Sequence, residues 1–260
     1  MPKLTVTIIT RDEAAHIAAA IASAAWADEV LVVDSHSTDD TVAIARSVGA
    51  RVEVRDWPGY VEQKNHAASI ASNDWILSID ADERVTPTLA EEIHAQLAAD
   101  PPVRGYETPR ESFYLGRWIR TTDWYPDRQL RLYDRRVARW SGRYVHESVT
   151  VDGPVGRLRG HLQHYPYRDI AHHLATIDRY TTLAARQMHE DGQRVTAAGV
   201  AARALAAFAR NYLLRGGFTQ GAAGLLVSGL NGYYVFVKFA KLWERTRARA
   251  PVADNVQRPD

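Results

Sequence analysis

The first hundred residues alternate between short, almost unbroken apolar runs and segments whose apolar residues recur every three or four positions. Residues 4–9, 29–33 and 75–79 are apolar runs of strand length, and residues 51–54 read as a further strand. Between them, Ile17, Ile21 and Ala25 mark one helix, and Ala43, Ile44 and Val48 mark a second that Gly49 stops. Residues 59–71 predict a third helix and residues 87–99 a fourth. Repeated strand–helix units with near-continuous apolar strands predict an α/β fold, in which a mostly parallel sheet is covered on both faces. Connections in such sheets are right-handed, and ligands gather beyond the carboxyl ends of the strands. Polar clusters at residues 10–13, 34–40 and 80–83 each follow such an end.

The pattern breaks at Asp100-Pro101-Pro102. Residues 103–165 are rich in Arg, Tyr and Trp and show little helical period, which predicts strands and loops that extend the sheet and carry acceptor contacts. From Tyr167 the period is helical again, with Ile170, Leu174, Ile177, Tyr180 and Leu183 on one stripe. No residue between Arg215 and Lys238 is charged, yet that stretch is glycine-rich and only weakly apolar for its length. The organisation expected is one half of an α/β domain at 1–105, its second half at 106–166, a helical region at 167–249 and a disordered tail at 250–260.

Charge changes this picture little. With 32 basic and 31 acidic residues the chain as a whole has no reason to bind nucleic acid. It contains no cysteine, which excludes disulfides, thiolate metal sites and a thiol nucleophile. The apolar run at 4–9 is too short for a signal peptide, so a cytosolic protein is expected.

The acidic run Asp80-Ala81-Asp82-Glu83 carries the sharpest chemistry. Two carboxylates so close disfavour each other. A divalent cation resolves the conflict, and oxygen ligands favour magnesium or manganese with water and phosphate in the remaining positions. A solvated turn before the next helix is the plainer alternative. Asp34 suits a base or ribose donor, beside a Ser37-Thr38-Asp39 turn that also reads as a helix cap. Lys64, on the third helix, could reach a nucleotide, although a lone helical lysine is commonly solvated. Within the Arg- and Tyr-rich stretch, Arg131 and His146 are candidate acceptor or phosphate contacts. Glu147 is placed to act as a general base; an ordinary strand-end pair explains His146-Glu147 as simply. His161, His164, His172 and His173 match no compact zinc spacing.

Taken in order, Thr5-Val6-Thr7-Ile8-Ile9-Thr10-Arg11-Asp12-Glu13, Val33-Asp34-Ser35-His36-Ser37-Thr38-Asp39-Asp40-Thr41, Trp75-Ile76-Leu77-Ser78-Ile79-Asp80-Ala81-Asp82-Glu83 and Val145-His146-Glu147 resemble glycosyltransferase family 2. The resemblance is closest to its WaaE-like lipopolysaccharide core glucosyltransferases. It extends through His164-Tyr165-Pro166-Tyr167-Arg168-Asp169, Tyr212-Leu213-Leu214-Arg215-Gly216-Gly217-Phe218 and Lys238-Phe239-Ala240-Lys241-Leu242-Trp243.

The resemblance implies a GT-A fold, a UDP-sugar donor, Mg2+ or Mn2+, and inversion at the anomeric carbon. By position it implies that Thr10, Asp12 and Asp34 hold uridine, that Asp80 contacts ribose or metal-bound water, and that Asp82 binds metal and diphosphate. It singles out Glu147 as the base, and a lipid-linked saccharide, an inner-core heptose, as the acceptor. One departure concerns the turn, where His36 and Asp40 stand in positions usually held by glycine. Losing both limits positive φ there.

The aromatic and basic C-terminal helices, with Tyr233, Tyr234, Phe236, Phe239 and Trp243, then suit the cytoplasmic face of an inner membrane. Packing on the catalytic domain or a homo-oligomer contact is the alternative. A sugar nucleotidylyltransferase or a non-catalytic membrane-associated scaffold could share the fold. The first normally carries a glycine-rich N-terminal loop, absent from Ile9-Thr10-Arg11-Asp12-Glu13, and the acids argue against the second.

Overall fold

A computed structural model describes residues 2–99, 101–142 and 147–247. The chain divides into two compact units, residues up to 170 and residues from 171.

In the first unit, the stretches read as strands form β1 (Leu4–Thr10), β2 (Glu29–Asp34), β3 (Arg51–Val54) and β4 (Trp75–Asp80). Between them lie α1 (Ile17–Ser23), α2 (Thr41–Ser47) and α3 (Tyr60–Ile70). The strands pair in parallel in the order β3-β2-β1-β4. Their residues alternate between two cores. Val6, Ile8, Val32, Leu77 and Ile79 pack with the buried residues of α1 on one face. Ile9, Leu31, Val33 and Ile76 pack with Ala67 and Ala68 of α3 on the other. This is why the runs read as continuously apolar rather than alternating.

Beyond β4 come β5 (Glu83–Val85), α4 (Pro87–Ala98), β6 (Gly105–Tyr114), β7 (Arg117–Ile119) and β8 (Asp127–Asp134). Next are β9 (Ala138–Ser141), β10 (Ser148–Val151), β11 (Gly156–Arg157) and β12 (Leu162–His164). The sheet continues β4-β8-β6-β12-β5, with β7 and β11 also on β6, and β9 and β10 form a separate antiparallel ribbon. This half of the sheet is mixed. β6 returns through β7 and a short turn without a crossover helix, so β8 runs antiparallel to it. The unit is an α/β fold of GT-A type.

Helix α4 starts where its sequence dictates. The Thr86 hydroxyl accepts from the Leu89 N–H, Pro87 occupies the first turn, and Leu89, Ile93 and Leu97 face the core. Gly160 lies against that first turn, with its N–H on the Glu92 carboxylate and its carbonyl accepting from Thr108.

The second unit is helical. α5 (Ile170–Glu190) is followed by α6 (Ala197–Ala209), a π turn at Arg210–Leu214, a 3-10 turn at Gly217–Gln220 and α7 (Gly221–Arg247). The stripe expected on α5 is rotated: Ile170 and Leu174 are exposed, and the buried face runs His173, Ile177, Thr181 and Ala184. Polar residues on that face have partners. The Lys241 ammonium of α7 donates to Thr181 and Thr182 of α5 at 3.0 and 2.7 Å. The glycine-rich stretch, poor in helix formers, is nonetheless one continuous helix, and two of its glycines, Gly224 and Gly232, sit at close approaches. A Cβ on Gly232 would lie 3.3 Å from the Ala204 carbonyl of α6. Among the described residues no helix is long and apolar enough to cross a membrane. The expected tail at 250–260 lies outside the described residues.

A Cβ at Gly160 would stand 2.4 Å from the Leu89 Cα and 2.6 Å from its nitrogen, both backbone atoms that cannot swing aside. Gly160→Ala is therefore expected to destabilise the first unit by about 1–3 kcal/mol. A lowered urea midpoint would register it; an unchanged midpoint would show that this packing is looser.

Candidate active site

The sheet register brings three strand ends together. Thr10 pairs with Asp34 across β1 and β2, and Ile9 pairs with Asp80 across β1 and β4. All three polar clusters therefore open on one edge, as the α/β reading requires.

At the β1–β2 end the two loops are clasped crosswise. Asp12 accepts from the Thr38 N–H at 2.7 Å and from the Thr38 hydroxyl, and the Asp12 N–H donates to the Ser37 hydroxyl. Asp39 accepts from the Ala14 N–H, and the Glu13 N–H donates to Thr41 Oγ1. Asp34 is fully buried and takes both the N–H and the hydroxyl of Ser37. Thr10 Oγ1 is buried without a hydrogen-bond partner, an arrangement that costs free energy unless a ligand supplies one.

The turn departs from its expected limit. His36 adopts φ of 55° although it is not glycine, while Asp40 has φ of −75° and needs none. The Asp34–Ser37 bonds enforce that conformation on His36, at a cost on the order of 1 kcal/mol for a residue with a Cβ. The exchange of glycine at 36 therefore leaves the left-handed turn in place.

At the β4 end the acidic run is not two equivalent acids. Asp80 Oδ1 lies 2.9 Å from Lys64 Nζ and its Oδ2 accepts from Arg131 Nη2 at 2.8 Å. Burial pushes the Asp80 carboxyl up, but Arg131 and Lys64 outweigh it and hold it well below the usual carboxylate range. The protein's own cations thus resolve the repulsion for which the sequence invoked a metal. Lys64 is not a solvated surface charge: it is buried on α3, with its ammonium 4.3 Å from the Trp140 ring centre. Asn65, its neighbour, exchanges two hydrogen bonds with the Trp140 backbone and ties β9 to α3.

Arg131 is likewise buried, its Nη2 shared between Asp80 and Glu83 at 2.8 Å each. It is an internal counter-ion in this arrangement, with no surface to offer an acceptor. Glu83 is fully buried, accepts from the Asp80 N–H, and pairs with Arg110, which in turn holds Asp127. Sequence reasoning missed Glu83, Arg110 and Asp127, because nothing local reveals partners so distant along the chain.

Among the described residues Asp82 pairs with an imidazole and with no lysine or arginine, and its side chain is 27% exposed, close to the 30% of Asp80. His164, on the neighbouring β12, stands 3.3 Å away through Nε2, while its Nδ1 lies 3.2 Å from the Ser112 hydroxyl. Burial raises the Asp82 carboxyl, and His164 more than reverses this. A divalent cation fits one carboxylate and one imidazole with phosphate and water completing its shell. Among the described residues no three acidic or histidine side chains form a ready cage. In the sequence His164 stands out neither by its motif nor by zinc spacing; its position beside Asp82 is what singles it out. His161 instead meets the Tyr125 hydroxyl.

Glu147 precedes β10, whose register places Val149 opposite Trp140. Its Oε2 is buried with no hydrogen-bond partner. His146 lies outside the described residues.

Two changes test these electrostatics. Glu83→Gln leaves Arg110 and Arg131 without their shared counter-charge and is expected to cost about 3–5 kcal/mol, read by urea unfolding; a loss under 1 kcal/mol, on the order of a surface pair, would refute the network. Burial, with Asp82 and Asp39 adding to it, pushes the Glu13 carboxyl from 4.5 up to about 7. The folded protein then keeps a proton that the unfolded chain releases, so this group makes stability fall as pH rises between those values. In Glu13→Gln, Tm should vary less across that interval than in the parent protein.

Residues 5–151 match the family described as "Glycosyl transferase family 2". The chain is 31% identical to the lipopolysaccharide core biosynthesis glycosyltransferase LpsC of Rhizobium meliloti, over 96% of each chain. It is 32% identical to the glycosyltransferase RT0209 of Rickettsia typhi, over 94% of this chain and 88% of that one. Among solved structures, glucosyl-3-phosphoglycerate synthase of Mycobacterium tuberculosis aligns over 42% of this chain and 44% of its own, at 25% identity and a TM-score of 0.38. The nucleotidylyltransferase and scaffold readings give way: the chain belongs to glycosyltransferase family 2 and is a glycosyltransferase.

Proposed function

We propose that this enzyme moves a hexose, glucose by resemblance, from a UDP-sugar to an inner-core heptose of lipopolysaccharide or a similar lipid-linked glycan at the cytoplasmic face of the inner membrane. The near full-length similarity to a lipopolysaccharide core glycosyltransferase supports the acceptor class. The observation that carries the chemistry is the split between the two acids. Asp80 is neutralised by Lys64 and Arg131, which leaves Asp82, with His164 beside it, to serve the donor's charged end.

Uridine binds along the edge formed by Thr10, Asp12 and Asp34, where the unpartnered Thr10 hydroxyl awaits a polar partner. Lys64 and Arg131 act behind this edge by fixing the Asp80 carboxylate towards the ribose. Asp82 and His164 would hold a Mg2+ or Mn2+ ion, which would supply positive charge to the leaving diphosphate. Glu147 takes the proton from an acceptor hydroxyl as that oxygen attacks the anomeric carbon, and UDP departs from the opposite face. One base and no enzyme nucleophile give inversion. An unpaired buried carboxylate oxygen at Glu147 supports this role.

Release of UDP in the presence of heptose-containing core acceptors, with and without manganese, tests the reaction. Lack of release with every such acceptor would overturn the acceptor class. Glu147→Gln should lower transfer by roughly 10²–10⁴-fold while UDP-sugar binding by calorimetry persists; full turnover would place the base elsewhere. Asp82→Ala should weaken donor binding only when manganese is present, and an unchanged metal titration would remove Asp82 from the metal site.

A further inference from the structure

Helix α6 begins at a hydrogen-bonded cap, where the Thr196 hydroxyl accepts from the Gly199 N–H at 3.1 Å. Gly199 keeps that turn open. A Cβ there would lie 2.9 Å from Arg203 Nη1 and 3.1 Å from the Thr196 hydroxyl, so a bare backbone is what lets the guanidinium stand beside the cap. Arg203 Nη1 donates to the Gly199 carbonyl at 3.2 Å, and its guanidinium lies over the Phe239 ring of α7. At the end of α7 the Arg247 guanidinium lies over the Trp243 ring, 4.5 Å from its centre. Both guanidiniums are thus held by packing rather than left to range through solvent.

These groups line one cavity of about 490 Å³, together with Arg194, Val195 and Thr246. Three cations meet there and no acid lines it. None of the three arginines has an ion-pair partner among the described residues. Asp191 and Glu244 are the acids nearest to them in sequence, and from residue 192 to residue 243 the chain has no acidic side chain. Like charges gathered without a counter-charge repel, and an anion from outside relieves them. The donor geometry says which anion. Each guanidinium offers a planar fork of N–H groups, which matches two oxygens of a phosphate, and a tetrahedral oxyanion can serve several forks at once. The Thr196 hydroxyl is engaged as an acceptor, so its own proton remains to donate; the Thr246 hydroxyl donates to the Trp243 carbonyl and serves to fix the last turn of α7.

We propose that this cavity is a phosphate-binding site, in which Arg194, Arg203 and Arg247 grip the phosphate oxygens and the Thr196 hydroxyl donates to one of them. A lipid headgroup and a soluble phosphate ester present the same chemistry to it. The site lies wholly within the second unit and goes beyond the transfer reaction, on which it does not depend.

Calorimetric titration of the full-length protein with inorganic phosphate, at fixed ionic strength balanced with chloride, is expected to show one site per chain. Arg203→Gln/Arg247→Gln should weaken binding by roughly tenfold or more, the loss expected for charge-assisted hydrogen bonds. Lys3→Gln/Arg46→Gln removes the same charge from exposed positions of the first unit and should leave the affinity within about twofold, since distant surface charges are screened. Gly199→Ala keeps every charge and suits a helix, yet its Cβ displaces the Arg203 guanidinium. It should weaken phosphate binding while Tm without phosphate is unchanged or raised. Flotation with phosphatidylcholine vesicles, with and without phosphatidic acid, identifies the source. Flotation with phosphatidic acid that free phosphate reverses assigns the site to a headgroup; phosphate binding without flotation assigns it to a soluble ester. No binding of phosphate, an equal loss in the charge-matched control, or parental affinity in Gly199→Ala would overturn the proposal.

Discussion

A chain of alternating charges runs through the interior of the catalytic unit: Lys64, Asp80, Arg131, Glu83, Arg110, Asp127. Each carboxylate in it is bracketed by at least one cation, and the chain as a whole is neutral. It joins α3 and β4 of the parallel half to β5, β6 and β8 of the mixed half. Isolated charges could not occupy this interior; in a connected row the desolvation cost of each inner member is offset by two neighbours. The row also decides what the cleft presents. With Asp80 answered by Lys64 and Arg131, the carboxylate without a permanent cation beside it is that of Asp82, whose partner is an imidazole.

The parallel half was legible in the sequence because β1, β2 and β4 are buried on both faces. Their apolar runs need no knowledge of partners, and the boundaries of β1, β2, β3 and β4 fall within a residue of expectation. The second half was not, and the reason is the charge row itself. β6 and β8 carry Arg110, Glu111, Arg131 and Asp134 inward, which breaks the apolar signal that marks a strand. Polarity alternation cannot reveal a buried ion whose partner lies 48 or 51 positions away. The stripe on α5 failed for a related reason, since His173 and Thr181 take buried places that an apolar count awards to Ile170 and Leu174.

The site shows the same division. Asp34 and Asp82 could be found because a strand end is a position, readable from order alone. The burial and pairing of Lys64 and Glu83 could not, because a charged residue defaults to solvent unless its counter-ion is known. His36 adds a different lesson. Glycine makes a left-handed turn cheap, but the hydrogen bonds from Ser37 to Asp34 impose the same turn on a side chain that would otherwise avoid it.

The crosswise clasp between residues 10–14 and 34–41 bears on how the nucleoside is received. Asp12 is bonded into the opposite loop and Asp39 into the first, so neither loop can open without breaking the other's contacts. If uridine binds there as proposed, few rotors would remain to be frozen, which would keep the entropic loss on association small. Recognition at that end would then rest on a rigid template, with discrimination falling to shape and to the unanswered Thr10 hydroxyl rather than to loop closure.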